Sequence, residues 1–189
     1  MLSLYLVRRL YYTIMLNNLA IFFDILSFSK GPQDLPTSKK LLNSVILINV
    51  LIALIPSDPD LQFSYVAQIL LSLVYVGTTL LFIHFSLSLK DKAENNSNQY
   101  KLRYLQVGTA VLGIHAIVGF LTSFISVVTL YDKSIIVALI MIVTIYTWLI
   151  NGHIFKHALD KTMVFGLGIS FLYSMVAGSI MLLFLQILI

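Results

Sequence analysis

Chemistry in this chain starts with four histidines, His84, His115, His153 and His157. Each sits in or at the edge of a long apolar run, where an ionisable side chain is a functional hypothesis by default. Imidazoles on facing helices can ligate haem b, and a pair at i and i+4, as His153 and His157 are, can hold a metal. A neutral imidazole can also simply hydrogen-bond between helices, and that is the stronger expectation here. His157, beside Lys156 and Asp160, is expected at the level of the lipid headgroups. No arginine falls inside the apolar runs to meet haem propionates, and no acid is there to bridge metals or relay protons. No cofactor is therefore expected, and a haem- or metal-binding anchor is the runner-up reading.

Other catalytic signatures are missing. The sequence has no Walker loop, no GxSxG, no HExxH and no paired intramembrane aspartates. Ser123 or Ser126 beside His115 makes an imaginable nucleophile and base, but nothing else in the sequence supports it. Gly166-x-Gly168 is too short a pattern to mean nucleotide binding. The absence of cysteine excludes disulfides, thiolate metal sites and cysteine nucleophiles. The expectation is a protein that is not an enzyme.

Other polar and small residues read as packing. Asn49 and Asn151 are expected to point inward, because an unsatisfied amide in lipid is costly. Asn151 shares a helical face with Thr144, Thr147 and Trp148. Gly166, Ser170, Ser174 and Gly178 recur every four residues, and Ala116, Gly119, Ser123 and Ser126 follow a 3-4-3 spacing. Such small-residue stripes let helix backbones approach closely where lipid supplies no drive between them. The first expectation is packing within the chain's own bundle, the second an interface with another copy or a partner.

The elements that must carry these residues follow from composition. Of the 189 residues, 59% are hydrophobic and 11% charged, against about a quarter charged in soluble domains. Mean hydropathy is +0.94. One soluble core could not hide that much apolar surface, whereas a bilayer can. No Asp, Glu, Lys or Arg occurs in 41–57, 61–89, 104–131, 134–155 or 162–189. A helix needs about 20 apolar residues to span the hydrocarbon. The expected fold is an all-α polytopic membrane bundle with five transmembrane helices, near 40–57, 63–89, 104–131, 134–156 and 163–189. The first is the least secure: it ends in Ile55-Pro56-Ser57-Asp58-Pro59-Asp60, and a re-entrant hairpin is its alternative.

Basic residues orient the bundle. The net charge of +4 is explained by topology, so no nucleic-acid partner is expected. With the N-terminus in the cytoplasm, eleven of the twelve Lys and Arg lie on that side, and only Lys133 lies opposite. The positive-inside rule therefore predicts N-in and C-out, with all four histidines in the cytoplasmic half. The 91–100 stretch, with Glu94-Asn95-Asn96-Ser97-Asn98-Gln99, reads as a solvated linker.

Residues 1–38 form the expected N-terminal unit, and 39–189 the transmembrane domain. Arg8 and Arg9 make a basic start, but Asn17, Asn18 and Asp24 interrupt a signal-peptide core. Residues 1–28, with Tyr5, Tyr12, Phe22 and Phe23, read instead as an amphipathic helix on the inner leaflet, with a sixth span as the alternative. In Gly31-Pro32-Gln33-Asp34-Leu35-Pro36, two prolines stiffen an elbow, and Asp34 can accept backbone N–H bonds. Thr37 or Ser38 then caps the next helix, and Lys39 and Lys40 anchor it at the headgroups.

This plan, with the stretch Tyr146-Thr147-Trp148-Leu149-Ile150-Asn151-Gly152-His153, then Ala158 and a small-residue last helix, resembles the Yip1 family of five-span membrane proteins. The Gly31–Pro36 cassette is similar to the pre-membrane motif of small proteobacterial inner-membrane proteins. The resemblance implies a bacterial inner-membrane scaffold or accessory subunit, bound to lipid and to partner membrane proteins or a second copy. The tyrosine- and proline-rich motif of the eukaryotic members is not recognisable here. A small transporter or lipid-handling protein is the third reading; a cavity that reaches midplane and is lined by Asn49, His115 and Asn151 would favour it, and a dry bundle would count against it.

Overall fold

The computed structural model of the chain describes residues 17–55, 63–94, 97–129 and 132–188. They form α1 (Asn17–Leu26), a 3-10 turn (Pro32–Asp34), α2 (Lys39–Ile52), α3 (Tyr65–Glu94), α4 (Ser97–Val128), α5 (Lys133–Ala158) and α6 (Met163–Leu188). No strand occurs among the described residues. Among the described residues four helices, α3 to α6, are long and apolar enough to cross a membrane.

Local chemistry explains the boundaries. Ser38 caps α2 by accepting the Leu41 N–H at 3.2 Å, as its position before the lysines predicts. The Asp132 carboxylate accepts the N–H groups of Ser134 and Ile135 and starts α5. At the elbow the Gly31 N–H donates to Asp34 Oδ2 at 2.9 Å. Gln106 of α4 then holds that elbow from the other side, donating to the carbonyls of Gln33 and Leu35.

Two elements differ from expectation. α2 has 14 residues, about 21 Å of helix against about 30 Å of hydrocarbon. It ends because Pro56 disfavours helical backbone at the residue before it and supplies no N–H of its own. The polar 91–100 stretch is not simply a linker: α3 runs on to Glu94 and α4 begins at Ser97. Lys, Ala and Glu are good helix formers, and a helix that leaves lipid is under no compulsion to stop.

α4 is the centre of the bundle. Val107, Ala110, Val111, Leu112 and Ile114 are almost completely buried. α2 runs parallel to α4: Leu42 lies against Gly108, Asn49 donates to the Leu112 carbonyl, and Ile52 lies against Gly119. α3 and α5 run antiparallel to it, with Leu80 against Gly108, and Asn151 and Ala158 meeting His115 and Arg103. α6 closes the bundle against α5 and α3.

The first 16 residues, with Tyr5, Arg8, Arg9 and Tyr12, lie outside the described residues. The described remainder of the N-terminal unit is not confined to a surface. Phe22 and Ile25 are buried, and the Phe22 ring sits where a side chain on Gly113 would otherwise be. Asn17 is exposed and Asn18 half-buried.

Candidate functional site

A polar network links four helices at the level of His115. Asn151 Nδ2 lies 3.1 Å from His115 Nε2. His115 Nδ1 is hydrogen-bonded to the Tyr75 hydroxyl. The Tyr173 hydroxyl lies 3.2 Å from that of Tyr75 and 2.8 Å from Thr79 Oγ1. The Tyr173 ring stacks on the His115 ring, 6.2 Å between centroids and 11° between planes. Thr79 returns to its own helix by donating to the Tyr75 carbonyl. In low dielectric a polar group needs a polar partner, and this chain of contacts supplies partners across α3, α4, α5 and α6, with Asn151 Oδ1 left over.

His115 and Tyr75 also line a cavity of about 580 Å³. Its wall includes Asn49 and Ile52 of α2, Gln68 and Ser72 of α3, and Thr147 of α5. It extends to Ile55 and Phe63, which flank the 56–62 stretch. No Asp, Glu, Lys or Arg is among its described lining residues. Of the lining residues, Gln68 and Thr147 each also carry a buried side-chain oxygen with no hydrogen-bond partner among the described residues, as Asn151 does behind His115. Asn49 is already engaged, donating to the Val45 and Leu112 carbonyls. The chemistry that these residues offer is hydrogen bonding in an apolar wall.

The remaining histidines are apart from this site. His84 is exposed, with its ring edge-on to Tyr104. His153 Nε2 bonds to the Lys30 carbonyl at 2.9 Å, and its ring meets those of Phe28 and His157. His157 lines a separate small pocket with Arg103, Gln106 and Asp160. Both ring nitrogens of His115 are engaged, so it presents no lone pair to an axial metal. No group of three His, Asp or Glu that could hold a metal ion occurs among the described residues.

The small residues pack mainly inward. A side chain on Gly166 would meet the Gly152 carbonyl at 2.2 Å, and Ser170 donates to the Trp148 carbonyl at 2.9 Å. Trp148 itself donates to the Leu167 carbonyl. Ala116, Ser123 and Ser126 are buried, and Gly119 lies against Ile52. Ser174 and Gly178 are exposed, and so is Thr144.

Outside the spans, a charge cluster ties the bundle's end together. Asp160 Oδ2 lies 2.6 Å from Lys90 Nζ and 3.0 Å from Arg103 Nη1. Partial burial pushes the carboxyl up, but the Lys90 bond and the Arg103 charge outweigh it and hold it below its ordinary value. Lys30 is held above its ordinary value, first by its bond to Asp24.

Sequence reasoning singled out His115, Asn151 and Asn49 but missed Tyr75, Thr79, Tyr173 and Gln68. The i, i+4 pair Tyr75 and Thr79, on one face of α3, was a usable signal. Tyr173 gave less, because tyrosine is at home in membrane helices. No protein-family model matches the chain, nor does any curated protein or solved structure.

Proposed function

We propose that the chain is a five-crossing integral membrane protein that binds an uncharged amphipathic molecule in the cavity beside His115, as a small carrier or lipid-handling protein does. The observation that carries this reading is the cavity itself: about 580 Å³, its described lining free of charged residues and carrying the polar side chains of Gln68, Ser72, Tyr75, His115 and Thr147. Small-molecule sites usually have about 300–1,000 Å³ and a few placed polar groups in an apolar wall. These polar side chains in an apolar wall favour a ligand that carries hydrogen-bonding groups on an apolar body.

Five crossings are supported by direction. α2 starts near the level of Gln106 in α4 and runs parallel to it. α3 runs antiparallel to α4, and Tyr65 precedes Tyr75 by ten residues, about 15 Å beyond the His115 level. The chain therefore changes sides between Lys39 and Tyr65, although α2 alone is short. The lysine and arginine distribution favours a cytoplasmic N-terminus, with the cavity in the outer half of the bilayer.

The non-catalytic scaffold, the Yip1-like role included, is the second reading. It draws on the exposed Ser174 and Gly178 of the α6 stripe. Its weakness is that the other small residues are already used inside the chain.

Mass spectrometry of the protein purified in a mild neutral detergent separates the two. The expected result is a stoichiometric, uncharged, hydroxyl- or amide-bearing amphipath. Ala53→Phe, which fills the cavity wall, should remove it, and Gln68→Leu should weaken its retention about tenfold, as expected for one lost hydrogen bond. A protein that carries no such molecule, or retains it equally in both variants, refutes the binding reading.

A further inference from the structure

Tyr75 and His115 belong both to the polar network and to the described lining of the cavity, whereas Thr79, Asn151 and Tyr173 belong to the network alone. Asn151 Nδ2 carries only hydrogens, so His115 Nε2, 3.1 Å away, must accept one. A neutral imidazole holds a single hydrogen, and the bond made at one ring nitrogen decides where it sits. It therefore sits on Nδ1 and is donated to the Tyr75 oxygen. The Tyr173 hydroxyl donates to the same oxygen at 3.2 Å. Thr79 directs its own hydrogen to the Tyr75 carbonyl. The Tyr75 oxygen thus receives two hydrogens, and both of its lone pairs are occupied. Its own hydrogen meets no acceptor among the described residues.

We infer that the Tyr75 hydroxyl selects the ligand of this cavity, offering its hydrogen to a carbonyl, ether or hydroxyl oxygen on an otherwise apolar molecule. This rests on the binding reading above and adds to it the polarity of one contact. A hydroxyl hydrogen without an acceptor inside a membrane bundle is costly, and a ligand oxygen beside Tyr75 removes that cost. The apolar part of the ligand has Leu71, Val118, Val143 and Met181 of the same wall to lie against. Asn151 is the positioning residue. Its amide sets the His115 tautomer, and the tautomer sets what Tyr75 can offer. With the amide turned over, His115 would donate from Nε2 to Asn151, Tyr75 would donate to Nδ1, and the cavity would meet only a lone pair.

Two measurements on the full chain in neutral detergent test this. The first is nitrogen NMR of protein labelled at histidine, in which His115 gives the signals that no substitution of His84, His153 or His157 removes. The expected result is hydrogen on Nδ1 and none on Nε2. The second is infrared spectroscopy with methyl decyl ketone, isotope-labelled at its carbonyl carbon, which can accept a hydrogen bond but not donate one. The expected result is a saturable bound population whose carbonyl band is lowered by hydrogen bonding. Tyr75→Phe, at normal helicity, should abolish the lowered band and weaken ketone binding about tenfold. If that variant does not fold, the NMR result on the native chain still decides. Hydrogen on His115 Nε2 overturns the inference. So does a bound ketone whose band is unshifted, or lowered equally in Tyr75→Phe, and either result leaves the binding reading standing. A chain that keeps an amphipath through purification yet takes up no ketone overturns the inference alone. A chain that does neither overturns the binding reading with it.

Discussion

Phe28 and Asp160 occupy backbone that glycine usually takes. Their φ angles are 61° and 48°. Each follows a helix end closed in the same way: Ser29 donates to the Asp24 carbonyl and Phe28 to that of Ile25, while Lys161 donates to Lys156 and Asp160 to His157. This is the Schellman arrangement, in which glycine avoids the left-handed strain. Here the strained residues have other work. The Phe28 ring packs edge-on against Tyr146 and His153, and the Asp160 carboxylate joins α3 and α4 to the α5–α6 turn. The second contact is pH-dependent, and its sign follows from the depressed carboxyl. Asp160 stabilises the fold above the ordinary carboxylate value, near 3.9, and that contribution fades as pH falls through its lower folded-state value. Asp160→Asn keeps a residue tolerant of left-handed backbone and removes the charge. It should lower stability at neutral pH by no more than about 1 kcal/mol, since the carboxylate is largely exposed. The gap to the native protein should close at acid pH, as thermal unfolding across a pH series would show; a constant gap refutes the ion-pair account. The Tyr173 hydroxyl, between Tyr75 and Thr79, is the matching test in the buried network. Tyr173→Phe should cost about 0.5–1.5 kcal/mol in unfolding from mixed micelles, the range of hydrogen bonds between membrane helices.

At the scale of elements, α5 and α6 meet through glycine. With the Gly152 carbonyl 2.2 Å and the Lys156 nitrogen 2.8 Å from where a side chain on Gly166 would begin, both obstacles are backbone and neither can swing away. Gly166→Ala should therefore push the helices apart and destabilise by about 1–3 kcal/mol, the usual cost of overpacking. Gly178→Ala meets nothing within 4 Å and should be neutral or slightly stabilising in the same melting experiment. Equal effects of the two would mean that the close approach is not what holds the pair. These glycines also mark what was legible in sequence. Charge-free runs located α3 to α6 because lipid tolerates little charge over a span, and four-residue spacing found the α5–α6 contact. The length of α2 was harder, since Pro56 falls at the end of a run whose composition alone looks adequate. The insertion of Phe22 and Ile25 was invisible, because an apolar helical face reads the same whether it meets lipid or α4. The Asp91–Tyr100 stretch misled through composition: polarity reports solvent, and helices continue into solvent.

For the whole molecule, the deciding property is which side of the membrane each end of the bundle meets. The network and cavity were only half legible for the same reason: His115 and Asn151 stand out by type, but their convergence with Tyr75, Tyr173 and Gln68 depends on helix direction, which residue types do not carry. Direction is testable here because the chain has no cysteine. Single cysteines at Ser57, Ser97 and Ser134 would sample the α2–α3, α3–α4 and α4–α5 connections without a background thiol. With five crossings and a cytoplasmic N-terminus, a membrane-impermeant maleimide should label Ser57→Cys and Ser134→Cys in intact cells, and Ser97→Cys only after lysis. Labelling of Ser97→Cys alone in intact cells would invert the orientation and turn the cavity toward the cytoplasm. If Ser57→Cys behaved like Ser97→Cys while Ser134→Cys stayed opposite, the five-crossing reading would fail at α2. The α2 direction argues against that last pattern: Leu42, Asn49 and Ile52 meet α4 in ascending order, from Gly108 to Gly119, and a helix that turned back would have to meet it in reverse.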